Sequence, residues 1–304
     1  MAKLTLKELG KILAVSFSEF QRNEPLRLAG ATAFFTTFAL PPILIILVQI
    51  IGTVFRIENL REKFFVQLAG IVGKQGAAQV KVSFSGFTSL AENRMVTAAG
   101  FILLMFIATT LFKVIKDSLN QLWNVKIATD KPFKAKVEKR AVSMVVIILT
   151  GILLIGGMVA EGLESLLFHY TDTELTKQTA SFLRTIINQA ISVIIVTVWF
   201  AILFKVLPDA KASWKVVFSG ALFTGILFTA GKIIIRYMLS LGNLTSIFGA
   251  SSSLALLLLF VFYSSFILYF GACFTKVFAT FIKDPIKAGD YSIKYRMVET
   301  KSVE

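Results

Sequence analysis

Six long runs of predominantly apolar residues dominate this 304-residue chain. A helix needs about 20 apolar residues to cross the hydrocarbon core of a bilayer, and it must satisfy its own backbone hydrogen bonds there. The pattern therefore predicts an all-α, polytopic membrane bundle with six transmembrane helices, and we treat residues 1–304 as a single integral membrane domain. The predicted spans cover approximately residues 28–53, 96–114, 141–160, 186–207, 216–241 and 253–281.

The basic residues are distributed unevenly between the two sides that six spans define. One side receives the N-terminus, the 116–140 loop, the short connection that carries Lys211 and Lys215, and the C-terminal tail, which together are rich in Lys and Arg. The positive-inside rule places this side in the cytoplasm, so we expect residues 1–27 and 282–304 both to be cytoplasmic. Contact with anionic membrane lipids then explains the formal net charge of +14, and nucleic acid is not needed as a partner.

The N-terminal segment has the pattern of an amphipathic helix. Thr5 and Glu8 have the spacing of a capping box, which marks the start of a helix. Two interpretations of its apolar stripe stay open: the helix lies on the inner membrane face, or the stripe packs against the bundle. The stripe consists of Leu9, Ile12, Leu13, Phe17 and Phe20.

The first outer loop, residues 54–95, is too long for a bare connection in a compact domain. It contains one apolar cluster from Phe64 to Val72 and a second from Val80 to Leu90. We expect this loop to form short amphipathic helices that fold onto the bundle.

The chain is poor in the residues that most often carry catalysis and bind metals. It has one cysteine, Cys273, inside an apolar run, and one histidine, His169, in an outer loop. A zinc site or a Cys–His couple from separated elements is difficult to build from these two residues. We therefore expect no enzymatic activity, no metal and no cofactor, and the absence of a P-loop sequence argues against direct use of ATP.

Pro41 and Pro42 lie near the middle of the first predicted span. Two consecutive prolines remove two backbone donors, so we expect the helix to kink or break at this point. Broken helices often mark transporter sites, but a packed kink whose carbonyls are satisfied by neighbouring groups is the alternative.

Two cations, Lys232 and Arg236, lie on one face of the fifth predicted span together with small residues that allow close helix packing. Ionisable residues inside a membrane are candidates for function, and they need partners or water. We predict a polar chamber in the outer half of the bundle that binds an anionic headgroup. Alternatively, the same residues form a structural ion-pair network. The other candidate headgroup ligands are Arg184, Asn188 and Gln189, and the candidate counter-charges are Glu161 and Glu164.

Several motifs resemble the YihY/BrkB family of bacterial membrane proteins. In the N-terminal half these are the stretch from Leu28 to Pro42 and the sequence SLNQLW at 118–123. In the C-terminal half they are Leu207-Pro208-Asp209 and the stretch 248–272, and the resemblance covers approximately residues 20–282.

The resemblance implies a six-span inner-membrane protein with cytoplasmic termini, in a family linked to envelope lipid handling and virulence. Many members carry Trp where Phe260 stands and an acidic residue where Cys273 stands, which weakens an ion-coupled mechanism in the last span. The family's former label, ribonuclease BN, is not supported by this sequence, because no soluble segment contains a cluster of His and Asp residues that could bind a catalytic metal.

Our main functional hypothesis is a protein that binds or translocates a lipid or other anionic amphiphile for the cell envelope. The alternative is a non-transporting membrane scaffold that binds envelope partners through the 54–95 loop and the basic inner surface. A membrane-associated nuclease would require metal-dependent cleavage of RNA by the purified protein. The small residues on the helix faces are compatible with a monomer or a homo-oligomer.

Overall fold

The structure is a computed structural model that describes residues 5–55, 60–89, 94–128, 145–146, 148–153, 177–241 and 252–296. The predicted helical class is confirmed, since helices make up most of these ranges. They are α1 (Leu6–Arg22), α2 (Pro25–Phe55), α3 (Leu60–Ser89), α4 (Arg94–Leu122), α5 (Lys177–Val206), α6 (Trp214–Leu241) and α7 (Ser252–Phe281). Short strands β1 (Val125–Ile127), β2 (Ala210–Lys211), β3 (Lys287–Ala288) and β4 (Ser292–Lys294) complete the described elements.

The predicted spans can be compared with helices α2, α4, α5, α6 and α7, which they overlap closely. Among the described residues, three helices are long and apolar enough to cross a bilayer, through Gln189–Val206, Trp214–Ile235 and Leu254–Phe281. Much of the predicted span at 141–160 lies outside the described residues, although 148–153 is helical. The total of six transmembrane helices therefore stays a prediction.

Helix α3 occupies most of the first predicted outer loop, and it is one helical element where we expected several short helices. The rings of Phe65 and Phe84 nevertheless lie only 5.6 Å apart, centroid to centroid. A straight helix would separate these positions by about 28 Å, at a rise of ~1.5 Å per residue. The element must therefore bend back on itself between the two rings, which gives two helical arms that pack against each other.

Helix α1 begins with the predicted capping box: the Glu8 amide donates to Thr5 Oγ1 at 3.4 Å, and the Thr5 amide donates to Glu8 Oε2 at 2.8 Å. One face of α1 packs on α7, where the ring centroid of Phe20 lies 4.7 Å from that of Phe266. Ile12 and Phe20 are almost fully buried, whereas Phe17 is exposed. The structure thus supports packing against the bundle for one face, and contact of the other with the membrane surface stays a prediction.

Helices α6 and α7 approach each other closely through two reciprocal pairs of glycine and threonine. A Cβ atom added to Gly220 would lie 1.9 Å from Thr275 Oγ1, and one added to Gly271 would lie 1.9 Å from Thr224 Oγ1. Only glycine leaves room for the facing threonine at these two positions. Small residues that bring backbones together are the usual basis of helix packing in membranes.

The four strands form a small junction at one end of the bundle. Strand β1 pairs antiparallel with β4, with Lys126 opposite Ile293, and β2 pairs antiparallel with β3, with Lys211 opposite Lys287. This strand junction joins the segment after α4, the α5–α6 connection and the C-terminal tail. The three segments therefore lie on the same side of the bundle, as the distribution of basic residues predicted, although which side of the membrane they face stays a prediction.

Candidate functional site

Lys232 lies within the apolar stretch Trp214–Ile235 of α6 and is only partly buried. Its ammonium Nζ donates to Ser192 Oγ on α5 at 3.2 Å. This contact places the cation at the α5–α6 boundary, so it has a polar partner within a stretch that is long and apolar enough to cross a membrane. Insertion scales assign about 2.5–3.5 kcal/mol to an unpaired cation at the centre of a spanning helix, which explains why a partner is needed.

The face of α6 that carries Lys232 is packed, as its small residues predicted. Ala221 and Thr229 are buried, and a Cβ atom added to Gly225 would lie 2.6 Å from Thr197 Oγ1 of α5. Ala221, Gly225, Thr229 and Lys232 therefore line the contact with neighbouring helices.

Three further polar atoms on α5 and α6 are buried and have no hydrogen-bond partner within the described part of the chain. They are Gln189 Nε2, Thr197 Oγ1 and Thr229 Oγ1. A buried polar group without a partner costs about 1–3 kcal/mol, and such groups are rare in native structures. We refer to Gln189, Ser192, Thr197, Thr229 and Lys232 together as the polar seam.

The other predicted members of the chamber lie on α5, on α6 and in the segment before α5. Arg184 and Asn188 belong to α5, and Arg236 belongs to α6 four residues after Lys232, but their side chains are not described. The candidate counter-charges Glu161 and Glu164 lie outside the described residues. Their roles in headgroup binding or charge neutralisation stay predictions.

The sequence predicted a kink or a break at Pro41 and Pro42, and the break is excluded, because both residues lie inside α2, which continues as a helix from Pro25 to Phe55. Each proline removes only one amide donor, and the packing of α2 on α4 and α7 keeps the flanking turns helical. The hydroxyls of Thr36 and Thr37 donate to carbonyls one turn earlier, so they do not cap the carbonyls that the prolines free. A kink within the continuous helix stays a prediction.

A buried ion pair next to the strand junction was not predicted from the sequence. Asp209 follows α5 and is almost fully buried, and its Oδ2 lies 3.1 Å from Lys116 Nζ of α4. Asn120, one turn later on α4, donates a hydrogen bond from Nδ2 to the same oxygen at 3.0 Å. Its Oδ1 accepts a hydrogen bond from the Asp209 backbone amide at 2.8 Å. The three residues fix the α5–α6 connection to the end of α4.

Electrostatics at this pair reflects competing effects. Burial lowers the pKa of the Lys116 ammonium from its ordinary value, and the adjacent Asp117 carboxylate acts in the opposite direction. A carboxylate at 3.1 Å also favours the charged form of the lysine. Gly289 closes the other side of Asp209, since its amide donates to the Asp209 carbonyl at 2.9 Å.

The same end of the bundle contains buried aromatic residues with hydrogen bonds between helices. Trp123, which follows α4, is fully buried and donates from Nε1 to the Ala272 carbonyl of α7 at 3.0 Å. The fully buried Tyr269 hydroxyl shares a hydrogen bond with Thr32 of α2. Helices α2, α4 and α7 are therefore held together by polar contacts at this level.

A second ion pair links α1 to α7. The Lys276 ammonium lies 2.7 Å from Glu19 Oε2 and 3.3 Å from Asn124 Oδ1. Asn124 has a positive φ of 55° in the turn between α4 and β1, a conformation that asparagine tolerates better than most residues. The pair thus connects the N-terminal helix to the strand junction.

A sequence pattern does exist for the Asp209 cluster. Asp209 is the only acidic residue between Lys205 and Lys215, and Lys116 and Asn120 are separated by one turn of helix. Their spacing places both α4 side chains on one face, where they could receive a carboxylate. The sequence does not indicate that α4 contacts the α5–α6 connection, where Asp209 lies 89 residues after Asn120.

Long apolar helices packed through small residues, with polar contacts buried between them, define the class as an α-helical membrane protein. The chain belongs to the family described as Virulence factor BrkB, whose family model matches residues 16–289. The resemblance to the YihY/BrkB family is therefore confirmed.

Relatives of this chain carry the name UPF0761 membrane protein. One from Janthinobacterium sp. (strain Marseille) is 27% identical over 253 residues, which cover 82% of this chain and 55% of the relative. Another, from Chromobacterium violaceum, is 25% identical over 83% of this chain and 58% of its own length. The chain thus spans little more than half the length of these two relatives.

A relative of similar length comes from Mannheimia succiniciproducens. It is 22% identical over 298 residues, which cover 96% of this chain and 97% of the relative. No solved structure matches the chain. The comparisons therefore support a membrane protein of this family, and they name no substrate.

Proposed function

We propose that this protein binds a lipid or other anionic amphiphile of the cell envelope in the polar seam and moves it across the bacterial inner membrane. The observation that carries the proposal is the position of Lys232, a cation held by Ser192 at the boundary of two apolar helices. We further propose that both termini face the cytoplasm, so that the strand junction lies at the inner membrane surface.

The chemistry of the polar seam favours an anionic ligand with several acceptor oxygens. Lys232 supplies a positive charge, Gln189 supplies a buried amide donor, and the hydroxyls of Thr197 and Thr229 can also donate. Phosphate oxygens accept charge-assisted hydrogen bonds from such groups. A bound headgroup would therefore satisfy atoms whose burial is otherwise unfavourable.

Arg236 extends this proposal toward the outer end of α6. It follows Lys232 by one helical turn, so both residues belong to the same face of the helix. In the competing structural role, Glu161 and Glu164 neutralise the two cations, and the protein acts as a membrane scaffold. The two roles differ in whether lipid is retained specifically.

The test compares lipids that remain bound to gently purified wild type and to Lys232→Met, measured by mass spectrometry. Methionine keeps the length of the side chain in an apolar environment but removes its charge. Lys215→Met is the matched control, because Lys215 is an exposed cation at the start of the same helix.

We expect an anionic lipid that is enriched in wild type and in Lys215→Met and is depleted roughly tenfold or more in Lys232→Met, since a charged hydrogen bond contributes about 1.5–3 kcal/mol. A Lys232→Met, Arg236→Met double variant should be depleted at least as strongly. Matching lipid profiles in folded wild type and variants would contradict the proposal and favour the scaffold.

A further inference from the structure

A groove runs along the boundary between α2 and α7, on a different face of the bundle from the polar seam. Two open cavities lie along it, one of about 650 Å³ between the end of α1, Arg27 and Phe266, and one of about 480 Å³ beside Gly30 and Phe262. On each helix these positions are three or four residues apart, so they follow a single face. We refer to the two cavities together as the α2–α7 groove.

Most of the α2–α7 groove is apolar and open to the surroundings. Phe34 on α2 and Leu259 on α7, which both line it, are about half exposed, at 56% and 50%. Leu254–Phe281 is long and apolar enough to span a membrane, so the surroundings of this face are lipid chains. From Ala255 to Phe266 the helix rises about 16 Å, at ~1.5 Å per residue, which is long enough to hold most of an acyl chain.

The end of the groove nearest the strand junction is lined by an ion pair, Glu24 and Arg27. Arg27 contacts the Glu24 carboxylate, and its Nη2 lies 3.5 Å from Gln121 Oε1 near the end of α4. Helix α2 begins at Pro25 with no acidic residue in its first turn, so the partial positive charge of its N-terminus lies at the same place.

The Glu24–Arg27 pair leaves the guanidinium able to bind a second anion. Both side chains are more than half exposed, at 66% and 59%, and exposed ion pairs contribute only about 0–1 kcal/mol. A guanidinium has five donors in a planar arrangement that matches phosphate oxygens. A phosphate can therefore share or replace the contact with Glu24.

We propose that the α2–α7 groove binds one anionic phospholipid of the surrounding bilayer, with an acyl chain along Gly30, Phe34 and Leu259 and the phosphate at Arg27. The site holds a lipid on the outside of the bundle, and it is independent of transport through the polar seam. An apolar channel that ends at Arg27, one residue before the first predicted span, fits this occupant, because one molecule supplies both the chain and the phosphate.

Gly30 provides a direct test of chain binding. A Cβ atom added there would meet no heavy atom within 4 Å, so Gly30→Leu fits the fold and fills the groove. Gly10 of α1 is equally open, which makes Gly10→Leu a matched control. Native mass spectrometry of full-length protein with added phosphatidylglycerol should show one bound lipid fewer for Gly30→Leu than for wild type and Gly10→Leu.

Arg27→Gln tests recognition of the headgroup, with the exposed Arg22→Gln as its control. We expect Arg27→Gln to lose preference for phosphatidylglycerol over phosphatidylcholine by about fivefold, the effect of one basic residue near a membrane surface. Lys232→Met should keep this lipid, which separates the groove from the polar seam. Equal lipid counts for Gly30→Leu and Gly10→Leu, or an unchanged headgroup preference in Arg27→Gln, would overturn the proposal.

Discussion

Asp209 is a buried charge and Lys232 a partly buried one, and the sequence predicted the surroundings of Lys232 but not those of Asp209. The face of Lys232 follows from helical periodicity within one span, so its packing against neighbouring helices was predictable and is observed. The partners of Asp209 lie on α4, Asn120 89 residues earlier and Lys116 one helical turn before it, and no local pattern specifies these contacts. Predictions for single residues therefore succeed where one helix supplies the geometry.

Removing the Asp209 carboxylate should destabilise the protein strongly. Asp209→Ala leaves Lys116 and Asn120 without their shared acceptor in a buried site, and breaking a buried ion pair costs about 3–5 kcal/mol. The measurement is the apparent melting temperature in detergent, with unfolding monitored by intrinsic fluorescence.

The control for this prediction is Asp290→Ala, which removes a carboxylate from an exposed pair with Lys211. Exposed pairs contribute about 0–1 kcal/mol, so its melting temperature should remain close to that of wild type. Similar losses for the two variants would show that the buried pair has no special role.

At the scale of elements, most helices could be predicted and the shape of α3 could not. Long apolar runs specify where α5, α6 and α7 lie, because the bilayer requires that length. The bend in α3 is visible only through the contact of Phe65 with Phe84. The strands of two or three residues are too short to show an alternating pattern, so the strand junction also could not be predicted.

The α6–α7 contact should depend on glycine at position 271. Gly271→Ala places a methyl group 1.9 Å from Thr224 Oγ1, so the helices must shift, at a cost of about 1–3 kcal/mol. Melting temperatures should show a loss for Gly271→Ala and recovery when Thr224→Ala is added, since this change removes the clashing hydroxyl and methyl group.

Gly10→Ala is the matched control for the helix itself, because a Cβ atom there meets nothing within 4 Å. It should leave stability unchanged or raise it by about 0.5–1 kcal/mol, as alanine favours helix more than glycine does. Equal stability of Gly271→Ala and Gly10→Ala would contradict close packing at position 271.

For the whole molecule, the distribution of charge predicted which segments come together. The segment after α4, the α5–α6 connection and the C-terminal tail meet in the strand junction, as a shared side of the membrane requires. Of the kink or break predicted at Pro41 and Pro42, the break does not occur, because two missing donors do not outweigh the packing of α2 between α4 and α7. Hydropathy and charge distribution predict the helices and the side of the bundle on which segments lie, but they do not specify the chemistry of the substrate.

The central claim is that the polar seam moves an anionic lipid, and transfer between leaflets of reconstituted vesicles tests it most directly. A fluorescent phosphatidylglycerol is placed in one leaflet, and its rate of transfer is measured with wild type, Lys232→Met and Lys215→Met. We predict fast transfer with wild type and Lys215→Met, and a rate roughly tenfold or more lower with Lys232→Met. No protein-dependent transfer, or equal rates for folded wild type and Lys232→Met, would contradict the claim.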